Sequence, residues 1–223
     1  FLLIISMLII SINKIVFIVA ILSIGTICLY EFFNFNKKRK KSHFERFLLY
    51  FLSITYFFVF IYSSILLRAD SISGINFFII TLFICIFSDI GGYITGKAIG
   101  GKKLTHISPN KTISGSIGSF VFSVFPLFIY IMIRSFENFY IFDNHIRYYF
   151  TFNFIFSFKN IFFCLLVSLV CQAGDLFISY FKRLNKVKDT GNILPGHGGL
   201  LDRIDGIIFA IPFVYFLKIT QLF

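Results

Sequence analysis

A polytopic, all-α bundle of membrane-crossing helices is the fold class this sequence predicts. Three observations predict it. Of the 223 residues, 57% are hydrophobic and only 14% charged. The apolar residues gather in runs that approach or exceed the ~20 residues needed to cross a bilayer core as a helix. The segments between the runs are alternately basic and nearly neutral. A soluble fold cannot hide so many long apolar runs, and a closed barrel would need a strict alternation that is absent here.

About seven spans are expected, in one integral membrane domain, 1–223. The first apolar segment is short, Phe1 to Ile12. It has neither a basic leader nor a small-residue cleavage site, so it reads as helix rather than as a signal peptide. The second runs from Ile15 to about Phe35, the third from Phe47 to Leu67, and the fourth from Ile75 to about Ile99. The fifth covers about Ser114 to Ile133, the sixth Ile161 to about Phe181, and the seventh Ile207 to Phe223. No internal repeat is visible. The 35 phenylalanines, with no tryptophan, follow an AT-rich codon bias and carry no functional message.

The connecting segments sort by charge. Asn36 to Arg46 holds six Lys/Arg, Gly96 to Lys111 holds four Lys, and Lys182 to Arg203 holds five Lys/Arg. The positive-inside rule places all three in the cytoplasm. The net charge of +11 is therefore a topology signal rather than a nucleic-acid footprint. It also suits anionic lipid and phosphate-bearing substrates. Cys28, Cys85, Cys164 and Cys171 all lie in apolar runs without a CxxC pair, and read as buried small hydrophobes.

Two polar stretches, Ser88 to Lys111 and Asp175 to Asp205, fall on the same predicted side. Asp175 ends an apolar span, where a carboxylate costs a few kcal/mol and usually faces a bundle interior. Asp89 occupies a similar place in the fourth span. Asp202 and Asp205 share a face if the last helix begins there. Hard oxygen donors of this kind suit Mg²⁺, which typically takes one or two carboxylates plus substrate phosphates. "GHGG", Gly196 to Gly199, lacks Cβ atoms at three of four positions, so backbone N–H groups can approach an anion. Lys182, Arg183, Lys186, Lys188 and Arg203 stand near it as cations, and His197 as a donor or proton carrier. Upstream, Pro109, Lys111 and Thr112 precede Ser/Gly residues opening the fifth span. That stretch reads either as an anion site or as a helix cap followed by small packing residues. The residues alone point to metal-dependent phosphate chemistry and pick no substrate. A transporter with a charged intramembrane site is the alternative, and would put polar residues near the midplane with a repeat in its halves.

The run from Ser179 to Asp205 resembles the signature of phosphatidate cytidylyltransferases, the CDP-diacylglycerol synthases. Ser179, Lys182, Arg183, Lys188, Asp189, Gly191, Pro195, His197, Gly198, Gly199, Asp202, Arg203 and Asp205 stand in register. "SDIGGYITGKAIGGKKLTHISPNKTISG" is similar to the family's other polar block. The resemblance makes 88–219 the catalytic half and leaves 1–87 matching only as hydrophobic helices. The sequence departs at Ile178, where the family has Glu, at Asn110, and at Gly206, where it has Ser.

The resemblance implies cytidylyl transfer from CTP to phosphatidate, giving CDP-diacylglycerol and pyrophosphate. It implies Mg²⁺, with K⁺ as a second cation, and Asp175 and Asp202 as metal ligands. Asp175, Asp202, Lys182, Arg183, His197, Arg203 and Asp205 are then the catalytic set. Asp89, Ser108, Lys111, Thr112, Ser179, Lys188, Asp189, Gly198 and Gly199 become substrate contacts. The expected partners are CTP, phosphatidate and membrane lipids, with no nucleic acid, and a homodimer is compatible. The expected location is the bacterial inner membrane, multi-pass, with the active site facing the cytoplasm.

Overall fold

The computed structural model describes residues 13–37, 42–69, 72–130, 157–193 and 198–222. These form six helices: α1 (Lys14–Asn36), α2 (His43–Ala69), α3 (Ile72–Ile99), α4 (Ile113–Phe122), α5 (Phe158–Leu184) and α6 (Leu201–Ile219). The segment expected at 1–12 lies outside the described residues. The remaining six expected segments each correspond to a helix. Among the described residues, five stretches, ending with Ile113–Tyr130 and Phe158–Leu184, are long and apolar enough to cross a membrane, where about seven spans were expected over the whole chain. Several such helices make this an integral membrane protein.

Two boundaries differ for physical reasons. The last helix starts at Leu201, six residues before the expected Ile207, and so takes in Asp202, Arg203 and Asp205. A hydropathy reading starts the helix where charge ends, but the first turn of a buried helix can be polar. Those charges, with Lys218 in its last turn, keep α6 out of the set selected by apolar composition. The fifth segment breaks after Phe122 and is helical again over 125–130. Pro126 cannot donate to the residue 122 carbonyl, and its ring crowds that carbonyl, so the ladder yields just there. The chain bridges the break with shorter bonds, Val124 N to Val121 O and Leu127 N to Val124 O.

Local chemistry starts the helices. Asn13 caps α1 by accepting from Ile15 N. Ser42 and Glu45 form a reciprocal capping box at α2, each side chain accepting the other's backbone N–H at 3.2 Å. Thr112 caps α4, its Oγ1 accepting from Gly115 N at 3.0 Å.

α6 is the hub, packed against α1, α2, α3 and α5. Leu201, Ile208 and Ile211 join one apolar core with Phe17, Phe32 and Phe60. Ala210, Val214 and Leu217 join a second with Ile84, Phe163 and Val167. Pro212 leaves the Ile208 carbonyl without its usual intrahelical donor. Tyr56 of α2 supplies the missing bond, its hydroxyl donating to Ile208 O at 3.2 Å. Glycine lets α5 and α6 close up: a Cβ at Gly206 would meet Cys171 Sγ at 2.4 Å, and one at Gly174 would meet the Phe209 ring at 2.6 Å. Gly206 is a point of departure from the family pattern, and here its lack of a side chain is what the helix contact requires. All four cysteines are free and buried, as expected.

Candidate active site

The polar ends of the helices converge at one end of the bundle. α3 ends at Gly100 and Gly101, which take φ of +64° and +106° and turn the chain back. A tight hairpin follows, with Leu104 N donating to Lys111 O and Ile113 N to Lys102 O. It delivers Lys111 to α5, where the Lys111 ammonium ion-pairs with Asp175 Oδ2. Arg183, near the end of α5, donates from Nε to Ile107 O at 3.3 Å and fastens the same hairpin. Two polar blocks more than sixty residues apart in the chain are thereby joined.

Asp175 is the middle of the cluster. Its Oδ1 accepts from Ser179 Oγ at 3.3 Å, one turn on. Its carboxyl group also meets that of Asp205 from α6 within hydrogen-bonding reach. Asp89 of α3 lies within electrostatic range of both Asp175 and Lys111.

Asp202 makes a different set of bonds. Its Oδ1 accepts from Lys182 Nζ at 2.7 Å in a largely buried ion pair. Its Oδ2 accepts from Thr190 N at 2.8 Å, Thr190 Oγ1 at 3.0 Å and Gly199 N at 3.1 Å. Burial alone would push this carboxyl up, but the Lys182 ammonium and the two backbone donors outweigh burial and hold it below the usual carboxylate range. Lys182 also acts electrostatically on Asp175 and Asp205, so it links Asp202 to the other two acids.

A buried polar ladder holds the helices beneath these acids in register. Ser88 and Ser168 hydroxyls are 2.8 Å apart, Gln172 Nε2 donates to Ser168 Oγ at 3.3 Å, and Ser116 Oγ donates to Gln172 Oε1 at 2.6 Å. The ladder joins α3, α4 and α5 just below Asp89 and Asp175. Small residues bring α3 and α4 close: a Cβ at Gly91 would meet Gly118 O at 2.6 Å. Thr112 caps the helix ahead of these small packing residues, one of the two readings its sequence allowed.

Of the expected site residues, the structure brings together Asp89, Lys111, Asp175, Ser179, Lys182, Asp202 and Asp205. Gly198, at φ +84°, stands beside Asp189 and Asp202, and a Cβ there would lie 3.3 Å from Asp202 Oδ2. Gly199 donates to Asp202. Ser108 serves its own hairpin, its carbonyl accepting from Lys111 N. Lys188, Asp189, Arg183 and Arg203 are exposed at the same end of the bundle. His197 lies outside the described residues. Sequence reasoning passed over Glu31, Thr190 and Gln172. A charged residue inside an otherwise apolar span is the signal that marks Glu31.

Among the described residues, no three His, Cys, Asp or Glu side chains converge on a metal position. The site instead offers paired carboxyl groups flanked by ammonium groups. That donor set fits Mg²⁺, which asks a protein for one or two carboxylates and takes its other ligands from phosphates and water.

Fold and site define a class: a polytopic membrane protein with an acid–base cluster where its polar helix ends meet. The comparisons narrow the class. The chain belongs to the cytidylyltransferase family, whose model matches residues 38–220. It is 44% identical over 153 residues to the phosphatidate cytidylyltransferase of Rickettsia bellii, covering 66% of this chain and 61% of that one. It is 37% identical over 145 residues to the enzyme of the same name from Bacillus subtilis, covering 65% and 48%. The Helicobacter pylori protein of that name is also 37% identical over 145 residues, covering 63% and 47%. The chain thus spans from about half to under two thirds of the length of these relatives.

Proposed function

We propose that this chain carries the reaction centre of a phosphatidate cytidylyltransferase and moves a cytidylyl group from CTP to phosphatidate at the cytoplasmic face of a bacterial inner membrane. In that reaction a phosphate oxygen of phosphatidate attacks the α-phosphorus of CTP. The bond from that phosphorus to the bridging oxygen breaks, and pyrophosphate leaves with the electron pair. The nucleophile is already anionic and needs no strong base. The obstacle is repulsion between a lipid phosphate and a triphosphate.

The chain's own residues address that obstacle. Lys111 and Lys182 stand in ion pairs with Asp175 and Asp202. An arriving phosphate would compete for both ammonium groups and turn them from internal counterions into substrate donors. Arg183 and Arg203 extend the positive surface where the triphosphate would lie, and fixed cations stabilise charge as it spreads in an in-line transition state. Asp175 and Asp202 would hold Mg²⁺, with Asp205 beside Asp175 as a further oxygen donor; when bound, the ion would supply charge neutralisation between the two phosphates. Lipid tails would stay in the bilayer, leaving the headgroup at the polar helix ends.

The observation that carries this reading is the junction of the two polar blocks through the Lys111–Asp175 pair. The test is transfer in detergent micelles, with labelled CTP, phosphatidate and Mg²⁺ given to purified, demonstrably folded protein. Labelled product extractable into organic solvent is expected. Its complete absence would reject the reading.

A further inference from the structure

Glu31 lies in α1, outside the signature and outside the stretch the family model matches. It is only 2% exposed. Its carboxylate binds the loop that carries the signature. Oε1 accepts from Leu200 N at 3.0 Å, and Oε2 accepts from Leu201 N at 2.8 Å. Oε2 also contacts Thr190 Oγ1 at 3.2 Å. Thr190 precedes the glycine loop and Leu200 and Leu201 follow it, so one carboxylate closes both ends.

The bonds answer a need. Leu200, at the N-cap of α6, has no side-chain oxygen and makes no cap bond. The first N–H groups of that helix would be buried without acceptors. Glu31 supplies them from another helix, where its charge also suits the positive end of α6. It sits near the C-terminal end of its own helix, the end that disfavours an acid, so the contact rather than the local helix accounts for a glutamate there. The loop is shaped to admit it. A Cβ at Gly191 would come within 2.8 Å of Oε1, and one at Gly199 within 2.7 Å of Oε2. Thr190 contacts both Glu31 and Asp202, though its hydroxyl has one proton to give.

We infer that Glu31 is a positioning residue: an N-cap for α6 borrowed from α1, which ties Thr190 to Leu200 and Leu201 and so holds Asp202 and Asp205 against Lys182 and Asp175. Its consequence for turnover rests on the reading above, whereas its consequence for the loop does not. The experiment therefore has two readouts on the full chain in lipid nanodiscs: hydrogen exchange of amides 198–202, and cytidylyl transfer kinetics. Glu31→Gln keeps the shape but turns a donor toward backbone donors. It is expected to speed exchange at 198–202 by about tenfold or more. It is expected to lower kcat by about tenfold to a hundredfold with a much smaller change in the KM for CTP, because the acids are displaced rather than removed. Glu45→Gln removes the same charge at the exposed start of α2 and is expected to move neither readout.

Unchanged exchange at 198–202 in Glu31→Gln overturns the inference whether or not the protein turns over. Faster exchange with an unchanged kcat overturns the positioning role. A wild type that makes no CDP-lipid defeats the functional reading, and exchange alone then upholds or overturns the clamp. If Glu31→Gln does not fold, Glu31→Asp takes its place, a shorter carboxylate that keeps the charge but cannot reach both Leu200 and Leu201: exchange a few-fold faster supports the clamp, and no change overturns it.

Discussion

Asp202 and Glu31 both bind the residues that flank the same glycine loop. Asp202 belongs to the helix the loop leads into, and accepts from Thr190 and Gly199. Glu31 belongs to a helix 169 residues before its Leu200 partner, and accepts from Leu200 and Leu201. One stands in a polar motif dense with glycine and charge, the other among Tyr30, Phe32 and Phe33. The difference teaches that a compact motif can specify a loop's chemistry without specifying its shape. Among the described residues, Asp202 takes the backbone N–H groups of Thr190 and Gly199, and those of Leu200 and Leu201 go to a residue the motif does not contain.

The largest expected effect tests whether the two acids differ in kind. Asp175→Asn and Asp202→Asn each remove a charge from the proposed reaction centre. Turnover in the CTP and phosphatidate assay is expected to fall by about a hundredfold to a thousandfold, with expression retained. The loss should exceed that of Glu31→Gln. If Glu31→Gln proves the more damaging substitution, Glu31 takes part in the chemistry and the comparison breaks.

Gly199→Ala presses on the space between the two acids. Its Cβ would stand 2.1 Å from Thr190 Oγ1, 2.7 Å from Glu31 Oε2 and 2.8 Å from Gly191 N. Overpacking of this sort costs about 1–3 kcal/mol, and here the displaced groups are those that tie the loop. A lower thermal midpoint with lost transfer activity is expected. Gly100→Ala serves as the contrast. Gly100 has open space around it, and only its φ of +64° calls for glycine. About 1–2 kcal/mol of stability should go, with activity per folded molecule retained. Equal losses of activity in the two variants would mean that the crowding around Gly199 has no functional weight.

What was legible follows from this contrast. The apolar runs announced the helices because lipid leaves backbone groups no partner but their own helix. The acids and cations at the polar end of the bundle stood out because charge is rare in such a chain and most of these charges stand close together in sequence. Lys111 was legible as a cation, but its pairing with Asp175 was not, since that contact is made by the turn at Gly100 and Gly101 and by the hairpin after it. Glu31 was hidden because nothing near it in sequence is polar enough to suggest a partner. The start of α6 was misplaced because Asp202 and Asp205 are half-buried through partners on other segments while Arg203 faces solvent, which no local hydropathy reading can foresee. Gly206 looked like a lost serine until Cys171 appeared against it.

Tyr56 is the second contribution of the N-terminal helices, and it sharpens the comparison from the stability side. Tyr56→Phe removes only the hydroxyl that donates to Ile208 O. Pro212 leaves that carbonyl no intrahelical substitute, so about 1–3 kcal/mol should be lost. Thermal unfolding should register the loss, while exchange at 198–202 and the KM for CTP stay put. A change in loop exchange would show that the whole of α6, and not only its first turn, is held by the N-terminal helices.

The smallest expected effect lies where α5 ends. Lys182 O accepts from Val187 N at 3.0 Å, and Arg183 O accepts from Lys186 N at 3.0 Å. That nested pair of bonds places Lys186 in the left-handed region, at φ +55°. Glycine is the usual residue there, because a Cβ costs about 1–2 kcal/mol in that conformation. The turn also anchors the backbone of Lys182 while its ammonium reaches Asp202. Lys186→Gly should relieve the strain, less the greater freedom glycine gives the unfolded chain. A net gain of about 0.5–1 kcal/mol is expected, read as a small rise in thermal midpoint. Lys186 is exposed, so its charge is not needed to hold the turn. A fall in stability would mean that the lysine side chain itself secures the end of α5. The grip on the loop would then depend on a third charged residue besides Asp202 and Glu31.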